Sequence, residues 1–418
     1  MRELTNWSGN YTYSAARLHY PETPEQLQAL VASARQVRVL GSRHSFNSIA
    51  DTTEDLISLH HFARIIGIDH ERHTVTIEGG VTYGQLGEYL HSNGYALRNM
   101  ASLPHISVAG ACATATHGSG EKNGNLATAV AAMELVTADG TLVTVSREQD
   151  GERFNGMVVA LGGLGVVTTL TLDIVPTFDM RQDVYLHLPF SQLAEHFEAI
   201  QASAYSVSVF TDWQNDHADQ VWLKSRVAAG EPGSAPPELF GAPAAHQQYH
   251  PIMAVSAESC TQQLGIPGPW HERLSHFRME FTPSVGEELQ TEYFVPRHHA
   301  LDALAAIREL RTQLAPHLMI TEIRTIAADT LWMSPCYGQD SVAIHFTWYK
   351  NWPAVEQLLP LLEAQLAPFE ARPHWGKLFT MQPAQVQALY ARLPDFRNLL
   401  DSFDPGGKFR NAFLDRYL

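Results

Sequence analysis

Two loops near the amino-terminal end constrain the fold of this 418-residue chain more than any other feature. The first is Arg38-Val-Leu-Gly-Ser-Arg-His-Ser-Phe-Asn47, in which His44 follows a tight turn. The second, from Asn99 to Gly120, consists largely of small residues. Because Gly, Ala and Ser leave little or no side chain in the way, backbone N–H groups in both loops can approach a pyrophosphate closely. With the nucleophilic ring of His44 beside them, the two loops suggest a clamp for a flavin.

The charge and the cysteine content exclude several classes of protein. A net charge of −16 argues against nucleic acid as the main partner, because phosphate binding needs clustered Lys and Arg. The three cysteines, Cys112, Cys260 and Cys336, are odd in number and far apart, so they suit neither a disulfide framework nor a zinc site. We therefore expect a protein of the reducing cytoplasm, without a bound metal or a nucleic-acid partner.

No segment of the sequence has the composition of a secretion signal or a membrane span. The amino-terminal residues lack the apolar core of a signal peptide. The longest uncharged run, from Phe154 to Leu172, contains four glycines and three threonines. A buried strand–turn–strand explains this run better than a span does. The sequence therefore predicts a soluble protein without a membrane partner.

Residues 1–176 have the pattern of an α+β domain. A helix is predicted from Thr82 to Ser92, since it is followed by the capping dipeptide Asn93-Gly94. Apolar alternation and turn residues predict one strand and two hairpins, at Val37–Leu40, at Arg64–Asp69 with Thr74–Glu78, and at Met133–Ala138 with Thr141–Val145.

The composition of the sequence changes at about residue 177, since seven of the eight tryptophans lie beyond this point. Amphipathic helices are predicted at Arg297–Leu314 and Ala354–Leu366, with a helical tail over Gln382–Phe403. The Pro-, Ala- and Gly-rich segment Val227–Pro251 is predicted to be a long surface loop. The strand-like runs in this part are Val184–Leu188, Ser206–Phe210, Val221–Arg226, Thr291–Val295, Met319–Ile326 and Val342–Trp348.

Familiar nucleotide and zinc motifs are absent from the sequence. There is no G-x-G-x-x-G after a strand, no G-x-x-x-x-G-K-[ST] and no H-E-x-x-H. A Rossmann site, a P-loop and a zincin-type metal site are therefore disfavoured.

Two of the predicted strands carry polar residues on one face. In a strand, residues two apart project to the same side, so Glu322 and Arg324 point the same way, as do His345 and Thr347. If the strands are neighbours, these four side chains form one wall, to which Lys377 could add an ammonium group. Such a wall suits a small, uncharged ligand rich in hydroxyls, and it could stabilise a negative oxygen during alcohol oxidation.

Each of these residues also has a simpler interpretation. Glu322 and Arg324 alone would form a surface ion pair, His345 a packed histidine and Lys377 a solvated cation. His44 alone would be a structural turn residue, and the small residues of the second loop would merely permit tight packing. Spacing by itself does not decide between these interpretations.

Taken together, these segments resemble the alditol oxidases, including the xylitol oxidases, of the vanillyl-alcohol-oxidase flavoprotein superfamily. The most specific matches are Asn99–Gly110, Thr321–Asp329, His345–Trp348 and Pro373–Lys377. The resemblance implies an α+β fold of two domains, a PCMH-type FAD-binding domain and a mixed-sheet substrate domain that caps it. The expected boundaries are 1–176 for the FAD domain, 177–380 for the substrate domain, and 381–418 for a tail that returns to the FAD domain.

The resemblance also implies roles for particular residues. His44 is expected to carry FAD covalently, through the 8α carbon. Substrate contact is implied for Ser102, Glu322, Arg324, Thr347 and Lys377, and a catalytic role for Lys377, Arg324, Glu322 and His345. The remaining residues implied to line the cofactor are Val39, Leu40, Gly41, Ser42, Arg43, Ser45, Phe46, Asn47, Ser102, Ser107, Gly110, Thr114, Ala115, Thr116, His117 and Val167.

Two positions depart from the family's pattern. Arg43 precedes His44 where the family usually has glycine, so the turn must accept a bulky residue there. Ala115 stands where T-G-T-H is common, which is a small change if its φ is negative. Neither departure removes the nucleophile.

The activity implied by the resemblance is hydride transfer from C1 of an acyclic alditol of the xylitol or sorbitol class to FAD. The product would be the aldose, and O2 would reoxidise the flavin to give hydrogen peroxide. Arg324 and Lys377 would orient the reacting hydroxyl, and neutral Lys377 or His345 would accept its proton. The alternatives are an aldonolactone oxidase or dehydrogenase on the same scaffold, and a carbohydrate-binding protein that has lost its flavin. We expect a monomer whose partners are the small polyol and O2.

Overall fold

The amino-terminal strands form two sheets. A computed structural model describes residues 4–228, 233–281 and 287–418. In their order across the sheet, the strands of a parallel three-stranded sheet are Arg17–His19, Asp55–Ser58 and Val37–Leu40. An antiparallel five-stranded sheet consists of Ile65–Asp69, Thr74–Glu78, Val166–Asp173, Val130–Val136 and Leu142–Ser146. Strand Val166–Asp173 alternates buried and half-buried residues, because only one face of this sheet packs on the core.

The later strands form one antiparallel sheet of eight. Its order is Gly268–Pro269, Asp179–Pro189, His217–Val227, Ser206–Thr211, Leu318–Ile326, Ser341–Tyr349, Glu288–Pro296 and Arg372–Pro373. All nine residues of Glu288–Pro296 are buried, so this strand is covered on both faces. One face packs against helices through residues such as Tyr293 and Ile344. The opposite face carries the polar residues of the candidate site.

The helices cover the sheets and connect them. They are Pro24–Ser33, Tyr83–Ser92, Val108–Ala113, Arg147–Asp150, Phe154–Val158, Phe190–Gln201, His271–Leu274, Ala300–Glu309, Arg311–Leu314, Trp352–Leu366, Pro383–Ala388, Leu393–Phe403 and Ala412–Tyr417. Two further strand pairs are short: Tyr95–Ala96 with Val175–Pro176, and Glu238–Leu239 with Ala242–Pro243. The predicted α+β class is confirmed.

The carboxy-terminal tail packs against the amino-terminal part of the chain. Leu400 and Leu414 belong to the core that contains the five-stranded sheet. Phe409 is fully buried beside helix Pro24–Ser33, and the backbone N–H of Val37 donates to the carbonyl of Lys408 at 2.9 Å. These contacts hold the start of the first loop in place.

Four local predictions differ from the structure. The helical tail predicted over Gln382–Phe403 consists of two helices, Pro383–Ala388 and Leu393–Phe403. The run from Phe154 is a short helix, Phe154–Val158, before the strand Val166–Asp173, because its apolar residues suit either state and periodicity could not separate them. The single helix predicted over Arg297–Leu314 is interrupted near Leu310. The loop Val227–Pro251 contains a small strand pair, while its residues 229–232 lie outside the described residues. Within the described ranges, no helix is both long and apolar enough to cross a membrane.

Candidate active site

A cavity of about 490 Å³ lies between the two loops and the polar face of the eight-stranded sheet. That volume lies within the range of small-molecule and cofactor sites, about 300–1,000 Å³. The predicted site residues that line it are Val39, Leu40, Gly41, Ser42, Arg43, His44, Ser45, Phe46, Ser102, Ser107, Gly110, Thr114, Thr116, His117, Val167, Glu322, Arg324, His345, Thr347 and Lys377. The structure therefore brings nearly the whole predicted set to one cavity.

Two predicted cofactor-lining residues lie outside this lining. Asn47 donates to the backbone carbonyls of Trp375 at 2.9 Å and Lys377 at 2.7 Å, so its amide ties the first loop to the turn at 374–377. Ala115 is 1% exposed and has φ +55°, whereas the prediction that the change from glycine is small assumed a negative φ. The backbone at Ala115 therefore carries strain that a glycine would avoid.

The ring of His44 is held in one orientation. Its Nδ1 donates to the carbonyl of Ser42 at 2.9 Å, and the Trp7 ring stacks on it with centroids 5.3 Å apart and planes 19° apart. Burial lowers the pKa of His44 to about 4, so the ring is neutral near pH 7. The hydrogen bond at Nδ1 leaves Nε2 unprotonated. Arg43, directly before this histidine, has φ +62°, in the left-handed region that favours glycine.

The two loops touch where their smallest residues meet. The backbone N–H of Ser107 donates to Ser42 Oγ at 3.1 Å. A Cβ atom at Gly41 would lie 2.8 Å from Ser107 Oγ, and one at Gly110 would lie 2.7 Å from the same oxygen. Only glycine fits at these positions without a shift, so backbone rather than side chain faces the cavity here. This surface fits the close approach of a flavin dinucleotide.

Three neighbouring strands place a polar row on the opposite wall. His345 is paired with Glu322 on one side and with Glu292 on the other. Arg324 Nη2 lies 3.0 Å from Glu292 Oε1, and its Nε lies 3.5 Å from Glu322 Oε1. Glu322 and Arg324 are each 6% exposed. The interpretation of Glu322 and Arg324 as a solvated surface pair is therefore wrong.

Burial and mutual charge set the protonation of this row. Burial alone would raise the pKa of Glu322, but the charges of Arg324 and the hydrogen bond from His276 hold it well below its usual range. The pKa of Glu292 is likewise held far down by His117, His345 and Arg324 against the effect of burial. Both carboxylates are ionised at neutral pH.

His345 faces the cavity without a protein partner. No group in residues 4–228, 233–281 or 287–418 forms a hydrogen bond with its ring, although the residue is only 8% exposed. Burial, together with the charge of Lys377, lowers the pKa of His345 to about 3, so the ring is neutral. A neutral imidazole with free nitrogens can accept a proton or a hydrogen bond from a ligand.

Lys377 reaches the same cavity from the turn at 374–377. Its ammonium group donates to Gln290 Oε1 and lies 5.3 Å from the centroid of the Phe46 ring. Burial is the main reason that the pKa of Lys377 is lowered, and Arg324 lowers it further. The amino group of Lys377 therefore stands between the first loop and the polar row.

Sequence reasoning missed several residues of the site. Glu292 and Gln290 share a strand face with Glu288, and the alternation Glu-Leu-Gln-Thr-Glu was a usable signal for them. His374 lines the cavity beside them, and burial lowers its pKa to about 3. No spacing rule would have found His276, which reaches Glu322 from a distant loop at 2.7 Å.

Comparison with known proteins identifies the family. A family model of the FAD binding domain matches residues 15–146, and one of D-arabinono-1,4-lactone oxidase matches residues 282–417. The chain is 49% identical to the alditol oxidase of Streptomyces sp. (strain IKD472 / FERM P-14339), over 98% of both chains. This chain belongs to the alditol oxidase family. The resemblance expected from the sequence is confirmed, and the protein is an FAD-dependent oxidoreductase.

More distant similarities lie outside the alditol oxidase family. L-gulonolactone oxidase of Mus musculus is 26% identical over 99% of this chain and 98% of its own length. L-gulono-1,4-lactone dehydrogenase of Mycobacterium tuberculosis (strain ATCC 25618 / H37Rv) is also 26% identical, with the same coverage. Among solved structures, cholesterol oxidase from B. sterolicum superposes with a TM-score of 0.80 over 100% of this chain and 96% of its own. At 16% identity that likeness establishes the shared fold.

Proposed function

We propose that this protein oxidises the C1 primary hydroxyl of acyclic alditols of the xylitol and sorbitol class to the aldose, with O2 as the final acceptor and H2O2 as its product. The observation that carries the proposal is the buried polar row formed by Glu322, His345 and Arg324. Fixed donors and acceptors in an enclosed cavity match the successive hydroxyls of a linear polyol. The 49% identity to an alditol oxidase supports the same reaction.

The two loops hold the cofactor in this proposal. Backbone at Gly41 and Gly110 would face the dinucleotide, and the unprotonated ring nitrogen of His44 would be the point of covalent attachment to the 8α carbon of the isoalloxazine. FAD held there would supply the hydride acceptor for C1 and the two electrons that reduce O2. Trp7 keeps the His44 ring in place through stacking.

The sheet wall holds the substrate. Arg324 Nη1 lies 3.3 Å from Ser102 Oγ, so the guanidinium and this hydroxyl can hold one substrate oxygen between them. Lys377 and Arg324 orient the C1 hydroxyl and stabilise negative charge on its oxygen as the proton leaves. Hydroxyls farther along the carbon chain of the alditol are held by Glu322, Thr347 and Ser102. The proton goes to neutral His345 or to neutral Lys377, both of which face the cavity.

An anaerobic substrate panel tests the reaction. Holoenzyme is mixed with xylitol, sorbitol, galactono-1,4-lactone or gulono-1,4-lactone, and bleaching of the flavin absorbance is followed. We expect the alditols to bleach the flavin and, once air is admitted, one H2O2 to form per aldose. The lactone arm is included because the family model of D-arabinono-1,4-lactone oxidase matches residues 282–417. Bleaching by lactones alone would replace the proposal with lactone oxidation, and bleaching by neither would overturn both.

Replacing His44 with alanine should abolish covalent attachment of the flavin. The remaining walls of the cavity are unchanged, so we expect FAD to bind but to be released by acid. The measurement is flavin fluorescence of the protein band on a denaturing gel after acid precipitation. His70→Ala is the matched control, because His70 is exposed, does not line the cavity, and has its Nδ1 2.9 Å from the Tyr95 hydroxyl. A fluorescent band in His44→Ala would contradict the assignment.

A further inference from the structure

A lysine is buried beside the polar row, on the same face of the eight-stranded sheet. Lys224, on strand His217–Val227, is 1% exposed. Its ammonium group donates to the carbonyls of Leu274 at 2.6 Å and Ser275 at 3.0 Å, and to His276 Nδ1 at 2.9 Å. All three ammonium hydrogens therefore have acceptors, and all three acceptors belong to one short segment, residues 274–276.

Lys224 and ionised Glu322 together fix which nitrogen of His276 carries the proton. An ammonium group can only donate, so His276 Nδ1 must be the acceptor. Burial, reinforced by the charge of Lys224, lowers the pKa of His276 to about 4, and its neutral ring therefore carries the proton on Nε2. That nitrogen lies 2.7 Å from Glu322 Oε1 and donates to it. Glu322 Oε1 is therefore already hydrogen-bonded to His276, whereas Oε2 can bind a ligand in the cavity.

The segment held by Lys224 also holds Ser102. The backbone N–H groups of His276 and Phe277 both donate to the carbonyl of Ser102, at 3.1 and 3.3 Å. Ser102 Oγ in turn lies 3.3 Å from Arg324 Nη1. Two residues assigned to substrate hydroxyls, Glu322 and Ser102, therefore depend on the same buried cation.

A scaffold role alone does not account for this arrangement. Within the described ranges, Lys224 has no carboxylate within 4 Å, and its three partners are neutral. Burying a cation among neutral groups is costly, so an apolar side chain of the same length would serve packing better. What Lys224 adds is a fixed direction for a chain of hydrogen bonds that ends at the substrate wall.

We propose that Lys224 is a positioning residue for substrate binding, which acts through His276 on Glu322 and through residues 274–277 on Ser102. This inference rests on the proposed function, because Glu322 and Ser102 are taken to hold hydroxyls of the alditol. Outer partners of this kind do not touch the ligand, yet they fix the orientation of the groups that do.

The variant Lys224→Met tests the proposal, since methionine has a similar length but cannot donate. We expect KM for xylitol to rise about tenfold or more, because His276 Nδ1 loses its donor, while kcat changes less than about threefold. The matched control is Gln182→Met. Gln182 is fully buried and lies opposite Lys224 on the neighbouring strand, but its amide donates to the Thr261 carbonyl and not to His276, so the KM of this variant should stay unchanged. An unchanged KM in folded, flavin-loaded Lys224→Met would overturn the proposal, as would a loss confined to kcat.

A second measurement reads the hydrogen-bond direction without substrate. In [15N]histidine-labelled holoenzyme, the His276 signals are identified by their absence in His276→Gln. We expect the Nε2–H tautomer in both proteins, because ionised Glu322 can only accept, and a shifted signal of the unprotonated Nδ1 in Lys224→Met, where this nitrogen loses its donor; an Nδ1 signal that does not move would overturn the relay. If Lys224→Met does not fold, the pair His276→Gln and His276→Leu replaces it. Glutamine can still donate to Glu322, so only leucine should raise KM, and equal effects would overturn the proposal. Should the wild type oxidise no alditol, the proposed function fails while the Nδ1 signal still tests the relay.

Discussion

Lys377→Met is expected to lower the turnover number for xylitol about a hundredfold to ten-thousandfold, the range associated with loss of a positioned acid–base or charge-stabilising group. The ammonium group faces the cavity at the junction of the first loop and the polar row. Its backbone is fixed independently of the side chain, because the N–H donates to the His374 carbonyl at 3.1 Å and the carbonyl accepts from Asn47. Methionine keeps the length of the side chain, so the turn should keep its geometry.

Flavin content separates a chemical effect from a folding effect. We expect Lys377→Met to retain covalent flavin, because His44 and the glycine positions of the two loops are untouched. Lys122→Met serves as the matched control, since the Lys122 side chain is 88% exposed and should leave turnover unchanged. Turnover within threefold of the wild type in flavin-loaded Lys377→Met would show that Lys377 takes no part in the reaction.

The pH profile of the same variant assigns the proton acceptor. A base must be unprotonated to accept the hydroxyl proton, so catalysis by neutral Lys377 gives a rate that rises with pH through its lowered pKa. His345, with a pKa of about 3, is neutral throughout pH 5–9 and gives no such rise. If the wild-type rate rises with pH and the rate of Lys377→Met does not, Lys377 is the proton acceptor. A flat wild-type profile assigns it to His345.

Local periodicity was enough to predict the chemistry of single strands. Glu322 and Arg324, two apart, share one face, and so do His345 and Thr347. The predicted strands lie within the observed ones because apolar alternation continues along each of them. The condition that the two strands be neighbours is met, with Glu322 opposite His345. The first loop was recognisable for a similar reason, since small residues leave little choice of what can pack there.

Pairing across the sheet could not be predicted in the same way. Strand Glu288–Pro296 precedes Leu318–Ile326 in the chain, yet it lies on the far side of Ser341–Tyr349. Glu292 therefore meets Arg324 and His117 through a strand order that no local pattern encodes. Lys224 and His276 are harder still, because a loop residue reaches the polar face of the sheet from 46 positions before Glu322. The left-handed φ of Ala115 was likewise invisible, since alanine gives no signal for it.

Glu292→Gln is expected to lower the free energy of unfolding by about 3 kcal/mol, the lower end of the cost of breaking a buried ion pair. Glu292 is 2% exposed, and its Oε1 accepts from Arg324 Nη2 and from His117 Nε2, both at 3.0 Å. Glutamine keeps the shape but removes the charge. Glu322, 3.5 Å from Arg324 Nε, still compensates part of the guanidinium charge, which keeps the loss at the lower end.

The same variant should be less stable by a constant amount between pH 5 and 8. The folded-state pKa of Glu292 is depressed, so its stabilisation is fully present above the unfolded value near 4.3 and is lost only as pH falls toward the folded value. Thermal unfolding midpoints should drop by about 3–4 °C across that window. The control is Glu363→Gln, because Glu363 binds the Tyr293 hydroxyl at 2.8 Å and Thr380 but no cation. The free energy of unfolding of Glu363→Gln should fall by about 1 kcal/mol. Equal losses in the two variants would mean that the charge of Glu292 contributes nothing beyond its hydrogen bonds.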